Sequence, residues 1–285
     1  MTYDMDGKTC VVTGATSGIG RETAALLAAR GARLIGVGRS PERCDQAASE
    51  ITAATGNQEV RFLEADLSRQ ADIRGLVVRI ARITQRVDVL VNNAGTFAFA
   101  WKPTVDGIET QLAVNWLSGF MLTGLLLPLL PPGARVITLS SGSHFSGKMH
   151  WKDPGLRRWY FGLAAYDQSK LAVLLFTYEL GRRLGKSRRI LCHAVDPGLV
   201  KTEIGLKGNN ALVRLAWRIR TRNGISPAEA ARSVAFLATD PSVDGRAPGY
   251  WKECRMLDSS RASHDEGDAR RLWALGEKLC GVSYP

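Results

Sequence analysis

Tyr166 and Lys170 stand four positions apart, so on a helix one turn would bring a phenol and an ammonium to the same face. That pairing suits proton transfer. A free tyrosine titrates near pH 10, and a shift of about three units toward neutrality requires about 4 kcal/mol of differential stabilisation of the phenolate. A neighbouring cation contributes in that direction. Ser141 closes an apolar, strand-like run and could hold a carbonyl oxygen ready for the proton. The chemistry is then reduction of a carbonyl, with Tyr166 protonating the alkoxide and acting as base in reverse. Taken singly, each feature also has an ordinary reading: Tyr and Lys at this spacing are common on helices, and a double serine ending a strand is often a turn.

Such chemistry needs a bound hydride carrier. Thr13-Gly14-Ala15-Thr16-Ser17-Gly18-Ile19-Gly20-Arg21 has the composition to hold one. Gly14 permits the turn out of a strand, Gly18 lets backbone approach a pyrophosphate, and Gly20 lets the next helix pack closely; the helix start offers free N–H groups to the anion. The spacing G-x-x-x-G-x-G departs from G-x-G-x-x-G, and a tight turn is the alternative. Its place between a strand and a helix favours a dinucleotide. The second strand ends in Gly36-Val37-Gly38-Arg39-Ser40, without the carboxylate that would bond a ribose 2′-hydroxyl. Arg39 can instead pair a 2′-phosphate bidentately, with Arg21 or Arg43 to assist. NADP(H) is the expected cofactor.

The elements that must position these groups are legible as a pattern. Strand-like runs at 8–13, 33–37, 60–64, 87–92, 135–140 and 189–195 alternate with helical stretches at 19–29, 41–55 and 68–84. Such alternation implies βαβ crossovers and a parallel sheet. Ser226-Pro227-Ala228-Glu229 is a helix-starting capping box, and Leu272, Trp273, Gly276 and Leu279 share one face of a closing helix. No repeat or linker interrupts the chain. The expected fold class is α/β: one domain over 1–285 with a single doubly wound parallel sheet, a Rossmann fold. Its nucleotide-binding half would cover about 1–135 and its catalytic and substrate half about 136–285, with a small substrate-capping region at about 199–225.

Composition excludes several other classes. Cys10, Cys44, Cys192, Cys254 and Cys280 are odd in number and lack ligand spacing, so neither a disulfide framework nor a metal site is expected. The net charge is +11, but the arginines are scattered, as at Arg182-Arg183, Arg188-Arg189 and Arg270-Arg271. Without an aromatic-interleaved basic patch, they indicate a solvated surface and no nucleic-acid partner. The N-terminal residues are too polar for a signal peptide. Leu112–Leu130 is long enough to cross a bilayer, but it carries Asn115, Ser118, Thr123 and Pro128. A buried helix and a cytoplasmic protein are expected.

In order along the chain, these segments resemble the short-chain dehydrogenase/reductase family. Thr13–Gly20 resembles its TGxxxGIG element and Asn92-Asn93-Ala94-Gly95 its NNAG element. Tyr166-Asp167-Gln168-Ser169-Lys170 is similar to YxxSK, and Pro197-Gly198 with Thr202 to PGxxxT. The resemblance implies catalysis by Ser141, Tyr166 and Lys170, with Asn115 positioning a water in a proton relay behind Lys170. It implies cofactor contacts at Gly14, Thr16, Ser17, Gly18, Ile19, Gly20, Arg39, Asp66, Leu67, Asn93, Ala94, Gly95, Tyr166, Lys170, Pro197, Gly198, Val200 and Thr202. Asp66 and Leu67 would contact the adenine. A homodimer is implied at family level only.

Ser141 and Tyr166 lie 25 positions apart, a longer interval than in most members. That interval, Ser140-Ser141-Gly142-Ser143-His144, and Lys170-Leu171-Ala172 through Phe176-Thr177 resemble the retinol dehydrogenase and protochlorophyllide-reductase-like branch. This branch uses NADP(H) on apolar carbonyls and alcohols, and similar bacterial proteins act as ketoreductases on polyketide-type substrates. Asp196 departs from the His-Pro-Gly common in retinol enzymes.

Ser141, His144, Tyr166 and Leu199 are the expected pocket residues. Phe145, Met149, Trp151, Trp159, Tyr160 and Phe161 lie in the long interval, and Ile204, Leu206, Leu212, Leu215 and Trp217 follow Gly198. These side chains argue for a bulky apolar substrate, retinoid-like, polycyclic or polyketide-type. The basic amphipathic stretch 211–218 is expected to cap the pocket; membrane contact has no further support. His193 reads as a satisfied sheet residue. The competing class is a non-catalytic dinucleotide-binding regulator or scaffold, which would keep the glycine loop but need no Ser141, Tyr166 and Lys170 together.

Overall fold

The computed structural model describes residues 5–201 and 224–284. Thr202, the stretch 211–218 and most of the expected capping region lie outside the described residues.

Alternation along the central strand sets up two layers. Cys10 and Val12 belong to the core on one face of β1 (Thr9–Thr13), and Val11 to the core on the other. Every residue of this strand is buried, as expected where helices cover both faces of a parallel sheet. The other strands are β2 (Arg33–Gly38), β3 (Val60–Glu64), β4 (Val89–Asn92), β5 (Arg135–Leu139), β6 (Leu191–Val195), β7 (Gly249–Lys252) and β8 (Arg255–Leu257). They form one sheet in the order β3-β2-β1-β4-β5-β6-β7-β8. The direction of winding reverses between β1 and β4, which opens a crevice at the carboxyl ends of these strands.

The sheet departs from the expected all-parallel form at one edge. β8 runs antiparallel to β7, joined through Glu253 and Cys254 with φ of 49° and 58°. Two consecutive left-handed residues make the tight hairpin turn that matches strand twist. Both strands are too short to show a sequence pattern.

The first face is covered by α1 (Gly18–Ala28), α2 (Pro41–Thr55) and α6 (Pro227–Thr239), with Ala24, Leu27, Ile51, Val234 and Leu237 in the core. The second is covered by α3 (Gln70–Ile83), α4 (Thr110–Leu129), α5 (Gly162–Arg188) and α7 (Glu266–Cys280). Phe120 of α4 is the hub of this layer. Its ring lies 5.5 Å from Phe176, 5.2 Å from Trp273 and 5.0 Å from Tyr284. The apolar run that could span a bilayer by length is therefore largely packed inside the protein. Within α4, Ala113–Leu117 forms a π-helical segment. It interrupts the regular ladder where Asn115 bonds Thr96 and Ser169.

Candidate active site

The crevice begins at the glycine loop. Gly14 and Gly18 have φ of 66° and 57°, a region that other residues enter only at a cost. A Cβ on Gly20 would come within 2.4 Å of the Gly14 carbonyl oxygen and 2.3 Å of Asn93 Nδ2. Only glycine lets α1 start this close to the strand end. Ser17 makes no side-chain capping bond, and the first turn of α1 holds no acidic residue. Its N–H groups are thus left to an anion. Thr13 Oγ1 accepts from the backbone N–H groups of Asn93 and Ala94 at 2.9 and 3.0 Å. This ties the glycine loop to the Asn92–Gly95 segment.

A cleft of about 1010 Å³ continues from this loop, lined by Arg39, Ser40, Arg43, Asp66, Leu67 and Ser68. Gly38 has no room for a side chain, since its Cβ would meet Thr16 Cγ2 at 2.3 Å. Arg21 is held by Glu50, and among the described residues no carboxylate pairs with Arg39 or Arg43. Of the three arginines considered from sequence, these two remain open to a phosphate. The geometry therefore fits a dinucleotide: a helix start without a side-chain cap and glycines where a Cβ would clash. Asp66 Oδ1 accepts from the Ser68 amide and hydroxyl at 2.9 and 2.8 Å, shaping the wall below.

Tyr166 and Lys170 line the far end of the same cleft. Lys170 Nζ lies 5.6 Å from the centre of the Tyr166 ring and donates to the Leu139 carbonyl at 2.8 Å. Burial pushes the Lys170 ammonium down to about 8, against the opposing pull of the Asp196 carboxylate. Phe97 packs edge-on to Tyr166 with ring centres 5.5 Å apart. Asn115 Oδ1 accepts from the Thr96 N–H at 2.7 Å, and its Nδ2 donates to Thr96 O at 3.1 Å and Ser169 Oγ at 2.9 Å. It fastens the loop after β4 to α5 beside Lys170.

The two serines differ in what their hydroxyls do. Ser140 is buried, and its Oγ donates to the Lys170 carbonyl at 3.4 Å. Ser141 is half-buried, and its Oγ accepts from the Ser143 N–H at 3.3 Å. Of the two, Ser140 spends its hydroxyl proton on that carbonyl, while the Ser141 hydroxyl acts as an acceptor. Ser140, not Ser141, is among the residues lining the cleft.

His144 does not belong to the pocket as expected. Its ring is fully buried, with Nδ1 2.7 Å from Ser141 O and Nε2 accepting from the Ser260 N–H at 3.1 Å. Both nitrogens are occupied, and burial lowers its pKa. Its geometry is that of a clamp on the Ser141 turn. His193 lies inside β6, where its Nδ1 accepts from Trp251 Nε1 at 3.1 Å. Burial, with Arg135 nearby, pushes it down to about 4. Pro197 lines the cleft, Gly198 takes φ of 77°, and Leu199 is largely exposed. Val200 is buried and bridges to Ile225, pinning together the two ends of the expected capping region.

The long interval before Tyr166 has a mixed role. Tyr160 donates to Glu109 Oε1 at 2.9 Å and accepts from Gln111 Nε2 at 2.8 Å, while Trp151 Nε1 donates to Asp268 at 2.8 Å. These fasten the segment, whereas Phe145, Trp159 and Phe161 are exposed. Sequence reasoning missed three contributors: Thr13, Phe97 and the Tyr250 phenol that bonds Asp196. Thr13 carried a signal, being a hydroxyl at the strand end before Gly14. The other two depend on packing between distant segments.

Comparison with known proteins agrees with this layout. The short chain dehydrogenase family profile matches residues 8–211. Retinol dehydrogenase 12 of Mus musculus is 37% identical, across 98% of this chain and 88% of its own. Retinol dehydrogenase 13 of Homo sapiens is also 37% identical, across 98% and 86%. A crystal structure of an uncharacterized protein from Mycobacterium paratuberculosis superposes with a TM-score of 0.79 at 33% identity, covering 99% of this chain and 97% of that one. A short chain dehydrogenase from Burkholderia cenocepacia in complex with NADP has a TM-score of 0.68 at 27% identity, covering 87% and 96%.

These relatives overturn the cytoplasmic expectation. Similar relatives over nearly the whole chain are dehydrogenases named for retinol, a lipid-soluble alcohol. In addition, Thr110–Leu129 is long and apolar enough to cross a membrane, although it is mostly buried here. A polar N-terminus does not place such a protein in the cytoplasm. With an ordered motif set, the sheet topology and near-full-length similarity in agreement, the chain belongs to the short-chain dehydrogenase/reductase family, as an oxidoreductase of its retinol-dehydrogenase-like branch acting between carbonyl and alcohol.

Proposed function

We propose that this protein is an NADP(H)-dependent oxidoreductase that interconverts a carbonyl and an alcohol on a bulky apolar substrate, with Tyr166 as acid and base. The observation that carries the reading is the sharing of one cleft: the uncapped start of α1, Arg39 and Arg43, Tyr166 and Lys170 all border it. Gly14, Thr16, Ser17, Gly18, Ile19 and Gly20 would hold the pyrophosphate, Arg39 the 2′-phosphate, and Asp66 and Leu67 the adenine side. Asn93, Ala94, Gly95, Pro197, Gly198 and Val200, with Thr202, would border the rest. NADPH supplies the hydride when bound.

Lys170 holds a positive charge behind Tyr166, which favours the phenolate left after proton donation. Ser141 offers its hydroxyl proton to the carbonyl oxygen and so fixes the direction of proton delivery. Asn115 holds Thr96 beside Ser169, one residue before Lys170, and keeps the place of the fourth relay residue. Phe97, Val114, Leu139 and Pro197 also line the cleft and would border the substrate. Their apolar surface supports a bulky hydrophobic substrate, as does similarity to enzymes named for retinol.

The test is NADPH oxidation followed by absorbance with hydrophobic aldehydes, polycyclic ketones and retinoids. Turnover of members of this panel is expected. Reduction confined to small polar carbonyls removes the apolar-substrate reading, and an equal preference for NADH removes the cofactor reading.

A further inference from the structure

Asp196 is a buried carboxylate, 5% exposed, placed directly after β6. Its Oδ1 accepts from the Gly198 N–H at 2.9 Å and its Oδ2 from the Tyr250 hydroxyl at 2.7 Å. Its own N–H donates to the Trp251 carbonyl at 2.8 Å. The carboxylate is therefore locked between the cleft-lining turn and β7. Burying a carboxylate is costly unless it is bonded and faces compensating charge. Here the direct partners are a neutral phenol and an amide.

The compensating charge reaches the end of the adjoining strand from α5. Leu139 of β5 pairs with Val195 of β6, the residue before Asp196. Lys170 Nζ is bonded to the carbonyl of that same Leu139. The buried ammonium and the buried carboxylate thus occupy the ends of neighbouring strands. A Cβ on Gly142 would lie 3.5 Å from Asp196 Oδ2, which puts the carboxylate beside the Ser141 turn as well.

We propose that Asp196 is a positioning residue of the hydride-transfer site: anchored by Tyr250, it shapes the Pro197–Gly198 turn and presents a fixed negative charge to Lys170. The inference rests on the reading of Tyr166 and Lys170 as the proton-transfer pair. The charged and titratable groups around the carboxylate are Lys170 from α5, His144 from the short turn after Ser141, and Tyr250 from β7. Lys252 reaches the Gly198 turn, its Cε 4.0 Å from a Cβ built there. Burial lowers the His144 pKa, and its Nε2 accepts from the Ser260 N–H. Burial foremost, and then the adjacent carboxylate, raise the Tyr250 pKa, so its proton stays in the bond. Lys170 is the buried cation that the carboxylate supports, and its field acts to keep the ammonium charged.

The experiment follows the ε-carbon resonance of Lys170 across pH in full-length protein carrying isotope-labelled lysine, assigned by its loss in Lys170→Arg. Removing a nearby negative charge makes any cation there easier to deprotonate. Asp196→Asn keeps the acceptor for Gly198, and in it the Lys170 midpoint should move to lower pH while the other lysines stay in place. Tyr250→Phe keeps the carboxylate, and its midpoint should stay at or above that of the parent. If Asp196→Asn does not fold, Asp196→Ser, which is also neutral and retains an acceptor, gives the same reading. An unmoved or raised midpoint in the neutral variant overturns the inference, as does an equal downward shift in Tyr250→Phe, which would indicate disturbed packing. Turnover in Tyr166→Phe tests the underlying reading separately: full activity there sinks the proton-transfer assignment, whatever Lys170 does.

Discussion

Asn93 donates its side-chain amide to the Thr13 carbonyl at 2.6 Å, while its backbone N–H is received by the Thr13 hydroxyl at 2.9 Å. This reciprocal pair joins the ends of β1 and β4 where the winding of the sheet reverses. Loss of one partner from a buried hydrogen-bond pair costs about 1–3 kcal/mol. Asn93→Ala should therefore lower stability by about that much in urea unfolding and weaken NADPH binding in titration calorimetry. Unchanged values for both would remove the link from the site's support.

Tyr166→Phe keeps the ring that packs against Phe97 and removes only the hydroxyl. Positioned acid–base groups contribute rate factors of about a hundred to ten thousand. The variant should lose turnover by that order while binding NADPH with nearly the parent affinity. Fluorescence titration of the bound cofactor separates the two quantities.

Arg21, Arg39 and Arg43 all line the cleft, but Arg21 is paired with Glu50. Charge-assisted bonds contribute about 1.5–3 kcal/mol each. Arg39→Ala should raise the KM for NADPH about ten- to a hundredfold and leave that for NADH nearly unchanged. Steady-state kinetics with both cofactors decide it, and equal effects would take Arg39 out of the phosphate site.

Burial pushes Lys170 down to about 8, with Asp196 opposing. Carbonyl reduction should therefore decline as pH rises through about 8 and the ammonium is lost. The stability effect has the opposite sign. In the unfolded chain lysine titrates near about 10.4, so above about 8 the unfolded state binds more protons and stability rises with pH. Lys170→Met should be inactive yet at least as stable as the parent at neutral pH, measured by chemical denaturation. A marked loss of stability would contradict the desolvation argument.

Phe120 contacts rings from α5, α7 and the C-terminal Tyr284. Truncating a buried phenylalanine costs about 3–5 kcal/mol. Phe120→Ala should lose that much in unfolding experiments, with a corresponding loss of the near-ultraviolet dichroism of the Trp273 cluster. A loss of under about 1 kcal/mol, within the range of surface substitutions, would place the hub elsewhere.

Much of this architecture was readable along the chain because its signals are local. The glycine loop needs particular backbone angles, β1 to β6 carry apolar runs between helical periods, and a Tyr and Lys four apart meet on any helix. The absence of a carboxylate after Val37 is likewise a local fact. Contacts between distant segments were decided by tertiary structure. His144 looked like a pocket residue from its place after Ser141, but the Ser260 amide takes its second nitrogen. Arg21 looked available until α2 brought Glu50 to it. The short hairpin β7–β8 had too few residues to show a period, yet it supplies Tyr250 to Asp196. Periodicity and backbone chemistry act over a few residues and can be read in one dimension. Desolvation and hydrogen-bond partnership depend on which strands and helices become neighbours, and only the folded sheet settles that.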